Sequence, residues 1–304
     1  MFEPRFEAEA HLNDLIRALP GPVLVVGASG FVGANLLKRL LSVRRDVTGT
    51  TLCHNSWRLE CVPAPNLAFL DLLDVSSIGD LFRRLLPKTI FHCAAYGAYS
   101  FQTDTDRIHR TNFVTLIRML DAVIRSGVSA FVHAGSSSEY GLNAAAPQEG
   151  AARQPNSHYA ISKSAASDLI GYYGHVLKAP CCNLRLYSVY GPYEDSSRLI
   201  PNLVRNGFEH RLPPFVAPET ARDFIHVDDV VAAFVTAAAR MRPEIAGEAF
   251  NIATGRRLDM RQVAEIASAQ FGVAEEPHFN ATEPRPWDLS DWCGLRRRRP
   301  GITG

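Results

Sequence analysis

Short apolar runs and amphipathic segments alternate along the chain from residue 22 to residue 187. The apolar runs have the length and composition of strands that are buried on both faces. The segments between them carry apolar residues three and four positions apart, which is typical of helices with one face on a core. This alternation predicts an α/β fold, with a parallel sheet that is covered by helices on both faces. The predicted strands are 22–26, 47–52, 67–72, 89–94, 129–135 and 181–187, and the predicted helices are 31–42, 76–86, 106–127 and 158–177.

The pattern loosens beyond residue 188, where proline and glycine become frequent in 190–201 and 210–223. These loop-rich segments precede a predicted helix at 227–241, a strand at 248–253 and a helix at 259–272. We expect this half to form a smaller lobe that borders a cleft.

Composition narrows the possible partners of the chain. It has 304 residues, of which 46% are hydrophobic, and a formal net charge of +1. This balance gives no electrostatic case for nucleic acid or an anionic membrane, and the basic run at 296–299 is expected to be a solvated tail. The apolar runs are too short to cross a bilayer. The six cysteines show no CxxC pair and no metal-ligand spacing, so we expect a reduced environment and no metal.

The first twenty residues predict a helical extension rather than a targeting signal. Leu12, Leu15, Ile16 and Leu19 fit one face of a helix that ends before Pro20. The segment has acidic residues and no apolar core of the kind that secretory signals need, so a cytoplasmic location is expected.

A glycine turn follows the first strand and opens the first helix of the alternation. Gly27 permits the tight turn, Gly30 lets a pyrophosphate approach the backbone, and Gly33 allows close packing of helix on strand. The helix N-terminus attracts anionic phosphates. We therefore predict a Rossmann-like doubly wound sheet over 21–180 that binds a dinucleotide, and a mainly substrate-binding lobe over 181–304 with strands returning to the main sheet. The predicted contacts of the turn are Gly27, Ser29, Gly30, Phe31, Val32 and Gly33.

The end of the second strand bears on the choice between NAD and NADP. NAD binders usually place a carboxylate there for the ribose hydroxyls, but this segment has none, and Asp46 lies at the opposite end. His54, Ser56 and Arg58 could instead accommodate a 2′-phosphate, which favours NADP(H) over NAD(H) without excluding the latter. After the third strand, Asp71 and Leu72 are candidates for the adenine pocket, although Asp at a strand end is also a common turn cap.

Tyr159 and Lys163 stand four residues apart on a predicted helix, so their side chains share one face. A tyrosine with a pKa near ~10 is a poor acid–base catalyst at neutral pH. An ammonium group and an oxidised nicotinamide beside it would stabilise the phenolate and lower that pKa. An ordinary exposed helix with a Tyr and a Lys is the alternative explanation of the pair.

A series of ordered motifs over residues 22–290 resembles the extended short-chain dehydrogenase/reductase family, in its nucleotide-sugar epimerase, dehydratase and reductase branch. The matching pieces are "GASGFVG", "FLDLLD", "FHCAA", "RTN", "SSSEYG", "YAISK", "LRLYSVYGP", "RDFIHVDDV" and "AFNIATG".

The resemblance implies a role for each matching residue. Tyr159 would be the catalytic acid/base, Lys163 would lower its pKa and hold the nicotinamide ribose, and Ser136 would bond the O4 hydroxyl of the sugar. Arg222 and Arg285 would face the nucleotide diphosphate, although a surface salt bridge is the alternative for each. The resemblance also implies a homodimer. Further implied contacts are Ala94, Ala95 and Asn112 with the cofactor, and Tyr96, Tyr99 and Ser137 with the sugar.

The residues after Ser136 bear on the reaction. Dehydratases of that family carry an acid at the next two positions, as Asp-Glu or Ser-Glu, where this chain has Ser137 and Ser138. Glu139 comes one residue late, and in an extended segment this shift turns a side chain to the opposite face. Dehydration is therefore disfavoured, although a loop could still deliver Glu139. Two oxidoreductase reactions at C4 of a nucleotide-activated sugar remain, with reduction of a 4-keto-6-deoxy sugar nucleotide favoured over 4-epimerisation.

A different class of function is a catalytically silent sensor or scaffold that binds the dinucleotide. Such proteins usually lose the tyrosine or the lysine, and this chain keeps both Tyr159 and Lys163. The chain also ends soon after Arg285, which predicts a truncated or differently closed substrate lobe.

Overall fold

The computed structural model describes residues 3–53, 56–281 and 291–294. The helices are α1 (Glu3–Ala18), α2 (Phe31–Leu41), α3 (Ser77–Leu85), α4 (Thr105–His109), α5 (Thr115–Arg125), α6 (His158–His175), α7 (Leu199–Phe208), α8 (Val227–Ala239) and α9 (Met260–Phe271). The strands are β1 (Val23–Val26), β2 (Val47–Thr51), β3 (Leu67–Phe69), β4 (Thr89–His92), β5 (Ala130–Ser136), β6 (Cys181–Leu186), β7 (Ser188–Tyr190), β8 (Ala221–Arg222), β9 (Phe224–His226), β10 (Ala249–Ile252), β11 (Leu258–Asp259) and β12 (Asp291–Trp292).

Seven of these strands form one parallel sheet in the order β10-β6-β5-β4-β1-β2-β3. The predicted Rossmann-like α/β fold is thereby confirmed. The strand order reverses at β1, which pairs with β2 on one side and β4 on the other. Ligands of such sheets bind outside the carboxyl ends of the strands at this reversal, so the glycine turn after β1 and the loop after β4 border the same crevice.

The sheet separates two cores, and successive residues of β1 enter opposite ones. Val23 and Val25 belong to the core under α2 and α8, whereas Leu24 and Val26 belong to the core under α3 and α5. The predicted N-terminal helix is present as α1 and packs on α8. Its residue Ile16, with Leu19 just after the helix, is part of the first core. No helix in the described ranges is long and apolar enough to span a membrane.

Beyond residue 187 the structure contains a helix that the sequence pattern did not indicate. Helix α7 packs on α9, and both contribute to a separate apolar cluster around Phe215. Two small sheets, β11-β8-β12 and β7-β9, also lie in this half of the chain. Strands β6 and β10 follow residue 180 as well and pair in the main sheet. The division of the chain at residue 180 stays a prediction.

The long helix predicted at 106–127 is interrupted in the structure. A π-helical turn at Arg110–Val114 separates α4 from α5. Asn112 lies in this turn, and its side-chain amide bonds both the N–H and the C=O of Tyr96. The bulge therefore serves to hold the loop after β4, which periodicity alone does not reveal.

The sequence-based expectation for Glu139 rests on extended backbone after Ser136. The structure has a single 3-10 turn there, Ser137–Tyr140. Ser136 caps it by accepting the Ser138 N–H at 3.1 Å, and Glu139 accepts the Ser136 N–H at 3.0 Å. This reciprocal pair is a capping box, which satisfies two backbone donors at once. It turns Glu139 into the core, where its carboxylate accepts from Arg185 Nε at 2.6 Å.

Glu139 and Arg185 form a buried ion pair, with exposed fractions of 0% and 4%. Arg185 also donates to the Tyr140 hydroxyl at 2.8 Å. Asn183 Nδ2 adds a further donor to the Glu139 carboxylate at 3.2 Å. The network ties the turn to β6, so Glu139 has a structural role.

Replacing Glu139 by Gln is expected to lower the free energy of unfolding by about 3 kcal/mol, because it removes the carboxylate partner of a buried guanidinium. Chemical denaturation measures this loss. Glu209→Gln is the matched control, since Glu209 pairs with Arg211 on the surface with 53% of its side chain exposed; it should cost less than about 1 kcal/mol. Equal losses in the two variants would contradict a structural role for Glu139.

Candidate active site

The glycine turn lies in direct contact with the end of β4. Gly27 has φ of +81°, and a Cβ built on it would lie 2.6 Å from the backbone of Ala94. A Cβ on Gly33 would lie 2.3 Å from the Gly27 carbonyl oxygen. Neither position therefore accepts a side chain, and the turn brings the N-terminus of α2 to the reversal point of the sheet.

The N-terminus of α2 is open to an anionic group. Gly30 is its N-cap residue, is exposed, and supplies no side chain to satisfy the first N–H groups of the helix. Ser29, Phe31 and Val32 beside it are partly exposed. Uncapped N–H groups and the helix dipole suit a pyrophosphate, so the residues present fit a dinucleotide.

The end of β2 differs from the sequence-based expectation for a 2′-phosphate site. Arg58 donates to the carbonyl oxygens of Tyr193 at 2.7 Å and Ser29 at 3.5 Å. Its guanidinium also lies 4.5 Å from the ring centre of Trp57. Ser56 is partly exposed beside it, and His54 lies outside the described residues. Arg58 thus holds a loop against the glycine turn.

Asp71 forms the turn cap that was its alternative interpretation. Its carboxylate accepts the N–H of Leu73 at 2.9 Å. Leu72 is buried, and Ala95 is exposed after β4. The adenine contact of Asp71 stays a prediction.

Ser136, Tyr159 and Lys163 come together at the carboxyl end of β5. Tyr159 and Lys163 lie on one face of α6, and the Lys163 ammonium is 5.9 Å from the Tyr159 ring centre. Lys163 is 1% exposed and donates to the Ala134 carbonyl oxygen at 2.8 Å. A side-chain hydrogen bond with Ser136 acts to lower the pKa of Tyr159. The arrangement places a hydroxyl, a phenol and an ammonium group at one strand end.

Burial dominates the electrostatics of these groups. It raises the pKa of Tyr159 to about 12, against the opposing effects of the Ser136 hydrogen bond and the Arg198 charge. Burial also lowers the pKa of Lys163 to about 8, and the charge of Glu139 opposes this shift. The lowering of the Tyr159 pKa by Lys163 that the family resemblance implies stays a prediction.

Two buried histidines lie within the field of Lys163. His92 on β4 and His133 on β5 face each other with their Nδ1 atoms 3.1 Å apart. Burial, with the Lys163 charge, lowers the pKa of His92 to about 3. The pair is therefore neutral at physiological pH and serves the packing between strands, as expected for core histidines.

The loop after β4 borders the site with two tyrosines. Asn112 is fully buried and also donates to Ser162 at 2.9 Å, so it acts through this loop rather than at the surface of the crevice. The Tyr96 ring lies 4.6 Å from the Arg107 guanidinium. The Tyr99 ring lies 5.2 Å from the guanidinium of Arg198.

The loop 191–195 packs against α2 and the segment after β2. Asn35 on α2 donates to the Pro192 carbonyl oxygen at 2.9 Å. The Tyr193 ring lies 3.4 Å from the Lys38 ammonium and 6.1 Å from the Trp57 ring centre. We call this segment the 191–195 loop; it joins the start of α2 to the end of β2.

The two arginines assigned to the diphosphate differ in what the structure describes. Arg222 lies on β8, donates to the Ala221 carbonyl oxygen at 2.8 Å, and has its guanidinium 5.6 Å from the Trp292 ring centre. Arg285 lies outside the described residues. Ser137 is buried at 7% exposure in the 3-10 turn, and its sugar contact stays a prediction.

Sequence reasoning missed Trp57, Tyr193, Glu194 and Arg198. The signal was present in "YGPYEDSSRLIP", where aromatic, acidic and basic side chains follow a Gly-Pro turn and precede an apolar helical run. Without the fold, nothing in that segment indicates that it returns to the glycine turn. No three His, Cys, Asp or Glu side chains within the described ranges are grouped to hold a metal.

Comparison with known proteins agrees with this geometry. Residues 23–253 match the model of the NAD dependent epimerase/dehydratase family. The chain is 30% identical over 286 residues to a UDP-glucose 4-epimerase of Mycolicibacterium smegmatis, covering 88% of this chain and 87% of that protein. UDP-glucose 4-epimerase of Thermus thermophilus, solved in complex with NAD, gives a TM-score of 0.73 at 26% identity and covers 90% of each chain.

A second kind of enzyme is also similar. The dTDP-glucose 4,6-dehydratase of Streptomyces venezuelae, solved with NAD and TYD, gives a TM-score of 0.70 at 27% identity, over 83% of this chain and 81% of that one. The match thus extends across enzymes that act on nucleotide sugars by different reactions. This chain therefore belongs to the NAD-dependent epimerase/dehydratase family, as its motifs indicated.

Proposed function

We propose that this protein is an NAD-dependent nucleotide-sugar 4-epimerase, with a UDP-hexose as the first substrate to test. The observation that carries the proposal is the attachment of the 191–195 loop to α2 and to the segment after β2, beside the glycine turn. The similarity to a UDP-glucose 4-epimerase over most of both chains supports the same choice. Epimerisation is preferred here over the 4-keto-6-deoxy reduction that the sequence favoured.

The 191–195 loop separates the two reactions because they make different demands on the cofactor. It is held by Asn35 and Lys38 on α2 and by Arg58 after β2. A pyrophosphate at the start of α2 would lie beside these contacts, so we expect the loop to slow release of the dinucleotide. A reductase must exchange its cofactor at every turnover, whereas an epimerase regenerates it in place. Because the 191–195 loop is held in place by these contacts and would retain the cofactor, it favours the epimerase.

The same contacts lead us to propose NAD rather than NADP. The expected 2′-phosphate ligand, Arg58, uses its guanidinium to hold Tyr193 and Ser29 and to stack on Trp57. Turning it toward a 2′-phosphate would cost these contacts. The relatives solved with NAD point in the same direction.

The chain's own residues can manage the proton at O4 of the sugar. The dinucleotide supplies hydride acceptance and return at C4 when it is bound. Tyr159 takes the O4 proton, with the Ser136 hydroxyl hydrogen-bonded to it along the proton path. Because burial raises the pKa of Tyr159 to about 12, the phenol holds its proton until a positive charge lies beside it. Lys163, fixed on the Ala134 carbonyl, supplies part of that charge.

The turn after Ser136 argues against dehydration. The carboxylate of Glu139 is committed to Arg185 and to the Ser136 N–H, so it does not reach the sugar as an acid or base. The serines at the next two positions, Ser137 and Ser138, cannot replace a carboxylate in C5 proton abstraction. This leaves reaction at C4 as the proposed chemistry.

We also propose a homodimer and a cytoplasmic location. Large apolar side chains remain exposed on and just after α5 and α6, which suits the pairing of these helices with a second copy. These side chains are Ile124, Ile161, Val176 and Leu177.

Purified protein is expected to interconvert UDP-glucose and UDP-galactose without added dinucleotide, measured by chromatography of the nucleotide sugars. Tyr159→Phe should lower the rate by about 10²–10⁴-fold, because it removes the acid–base group. Tyr172→Phe, an exposed tyrosine on the same helix, should leave the rate unchanged. If neither UDP- nor dTDP-hexoses are epimerised while a 4-keto-6-deoxy sugar nucleotide oxidises NADPH, the reductase alternative holds instead.

The purified protein is also expected to retain NAD through gel filtration and to release it on denaturation. Replacing Trp57 and Tyr193 together by Ala should speed NAD dissociation about tenfold, because it removes aromatic and cation–π contacts across the loop. Phe208→Ala, an exposed aromatic residue on α7, is the control and should not change the rate. Retained NADP, or equal dissociation rates in all three proteins, would contradict the role given to the loop.

A further inference from the structure

Glu194, in the 191–195 loop, is a carboxyl group that the proposed reaction does not use. Only 7% of its side chain is exposed. Its Oε2 atom is buried and has no hydrogen-bond partner among the described residues. Oε1 lies 4.0 Å from Nε of Arg198, which is a loose ion pair. A buried carboxyl group with such weak compensation is poorly stabilised in its charged form.

Arg198 connects Glu194 to the catalytic groups. Its guanidinium lies over the Tyr99 ring at 5.2 Å, and its charge acts on the phenol of Tyr159. With 44% of its side chain exposed, it can reach a ligand in the crevice. Arg198 therefore lies near the catalytic end of the crevice, and a sugar nucleotide with C4 at Tyr159 would bring its diphosphate into the same crevice.

We propose that Glu194 is a positioning residue for substrate binding. Its protonation state sets how much of the positive charge of Arg198 acts on the diphosphate of the substrate. This inference rests on the proposed function and extends it to the control of substrate binding. When Glu194 is ionised, it offsets the Arg198 cation and adds a buried negative charge near the substrate. When Glu194 is neutral, the positive charge of Arg198 acts on the diphosphate without this offset.

The direction of the pH effect follows from the burial of Glu194. Burial raises its pKa to about 7, with Arg198 and a backbone hydrogen bond with Gly191 opposing the shift and Asp195 adding to it. The carboxyl group is therefore neutral below about pH 7 and ionised above it. Substrate binding should be stronger on the acidic side. The raised pKa of Glu194 also makes folding stability depend on pH. The stability that the neutral carboxyl group contributes is lost as the pH rises from its pKa in the unfolded chain to its pKa in the folded protein.

Other charged and titratable groups lie around the 191–195 loop. They are Asp195 and Arg198 on the same segment, Arg58 and Lys38 against Tyr193, and His226, whose ring lies against Gly191. Any pH effect that these other groups cause would persist in a Glu194 variant, which separates it from the effect of Glu194.

The test compares wild type with Glu194→Gln, both with their bound dinucleotide, by calorimetric titration with UDP-glucose and dTDP-glucose. The diphosphate of these diesters keeps its charge over the range used. Wild type should bind about fivefold more tightly at about pH 6 than at about pH 8.5, as one partly exposed charge pair allows. Glu194→Gln should bind at both pH values as tightly as wild type does at the lower one.

Glu209→Gln is the matched control, since its exposed carboxylate lies on the surface, and it should retain the wild-type pH dependence. In an Arg198→Gln background, the Glu194→Gln exchange should change affinity less than about twofold, because the effect passes through the cation. A purely structural role for Glu194 would not produce this coupling.

Identical affinities of wild type and Glu194→Gln at the higher pH overturn the inference. If epimerisation persists in that case, the proposed function stands without it. An undiminished effect of Glu194→Gln in the Arg198→Gln background also overturns it. Failure of wild type to bind either nucleotide sugar at both pH values overturns the inference and the proposed function together.

Discussion

The buried ion pair between Glu139 and Arg185 determines the shape of the strand end on which the site is built. Glu139 also accepts the Ser136 N–H. The buried ion pair therefore holds the 3-10 turn Ser137–Tyr140 in place at the end of β5. That turn brings the Ser136 hydroxyl to Tyr159, and the adjoining carbonyl of Ala134 holds Lys163. Fold stability and the geometry of the catalytic groups thus depend on one contact.

Burial acts on the charges of the crevice in a consistent direction, disfavouring the ionised form of each group. Burial keeps Tyr159 protonated, weakens the hold of Lys163 on its proton, and raises the pKa of Glu194 to about 7. A site of this kind responds strongly to any charge brought into it, because the low polarity that suppresses ionisation also strengthens each new electrostatic contact. Arg198, partly exposed over Tyr99, is the cation through which we propose that Glu194 acts on an anionic substrate.

The sheet, its helices and the shared face of Tyr159 and Lys163 could be predicted from sequence because each follows from local pattern. The apolar runs ended within a few residues of β1, β4 and β5, and the Tyr159–Lys163 spacing implied a shared face. Long-range contacts could not be predicted. Nothing near Glu139 in sequence indicates Arg185 as its partner, and the proline-rich composition of 190–201 concealed both α7 and the loop that returns to Arg58.

The proposed epimerisation requires that the hydrogen removed from C4 of the sugar returns to the same carbon without leaving the protein. The most direct test uses a UDP-hexose carrying deuterium at C4, with no added dinucleotide, and mass spectrometry of the epimerised product. The product is expected to keep the deuterium at C4, because the 191–195 loop retains the cofactor through the reaction. Loss of the deuterium, or consumption of one added reduced dinucleotide for each product formed, would contradict it.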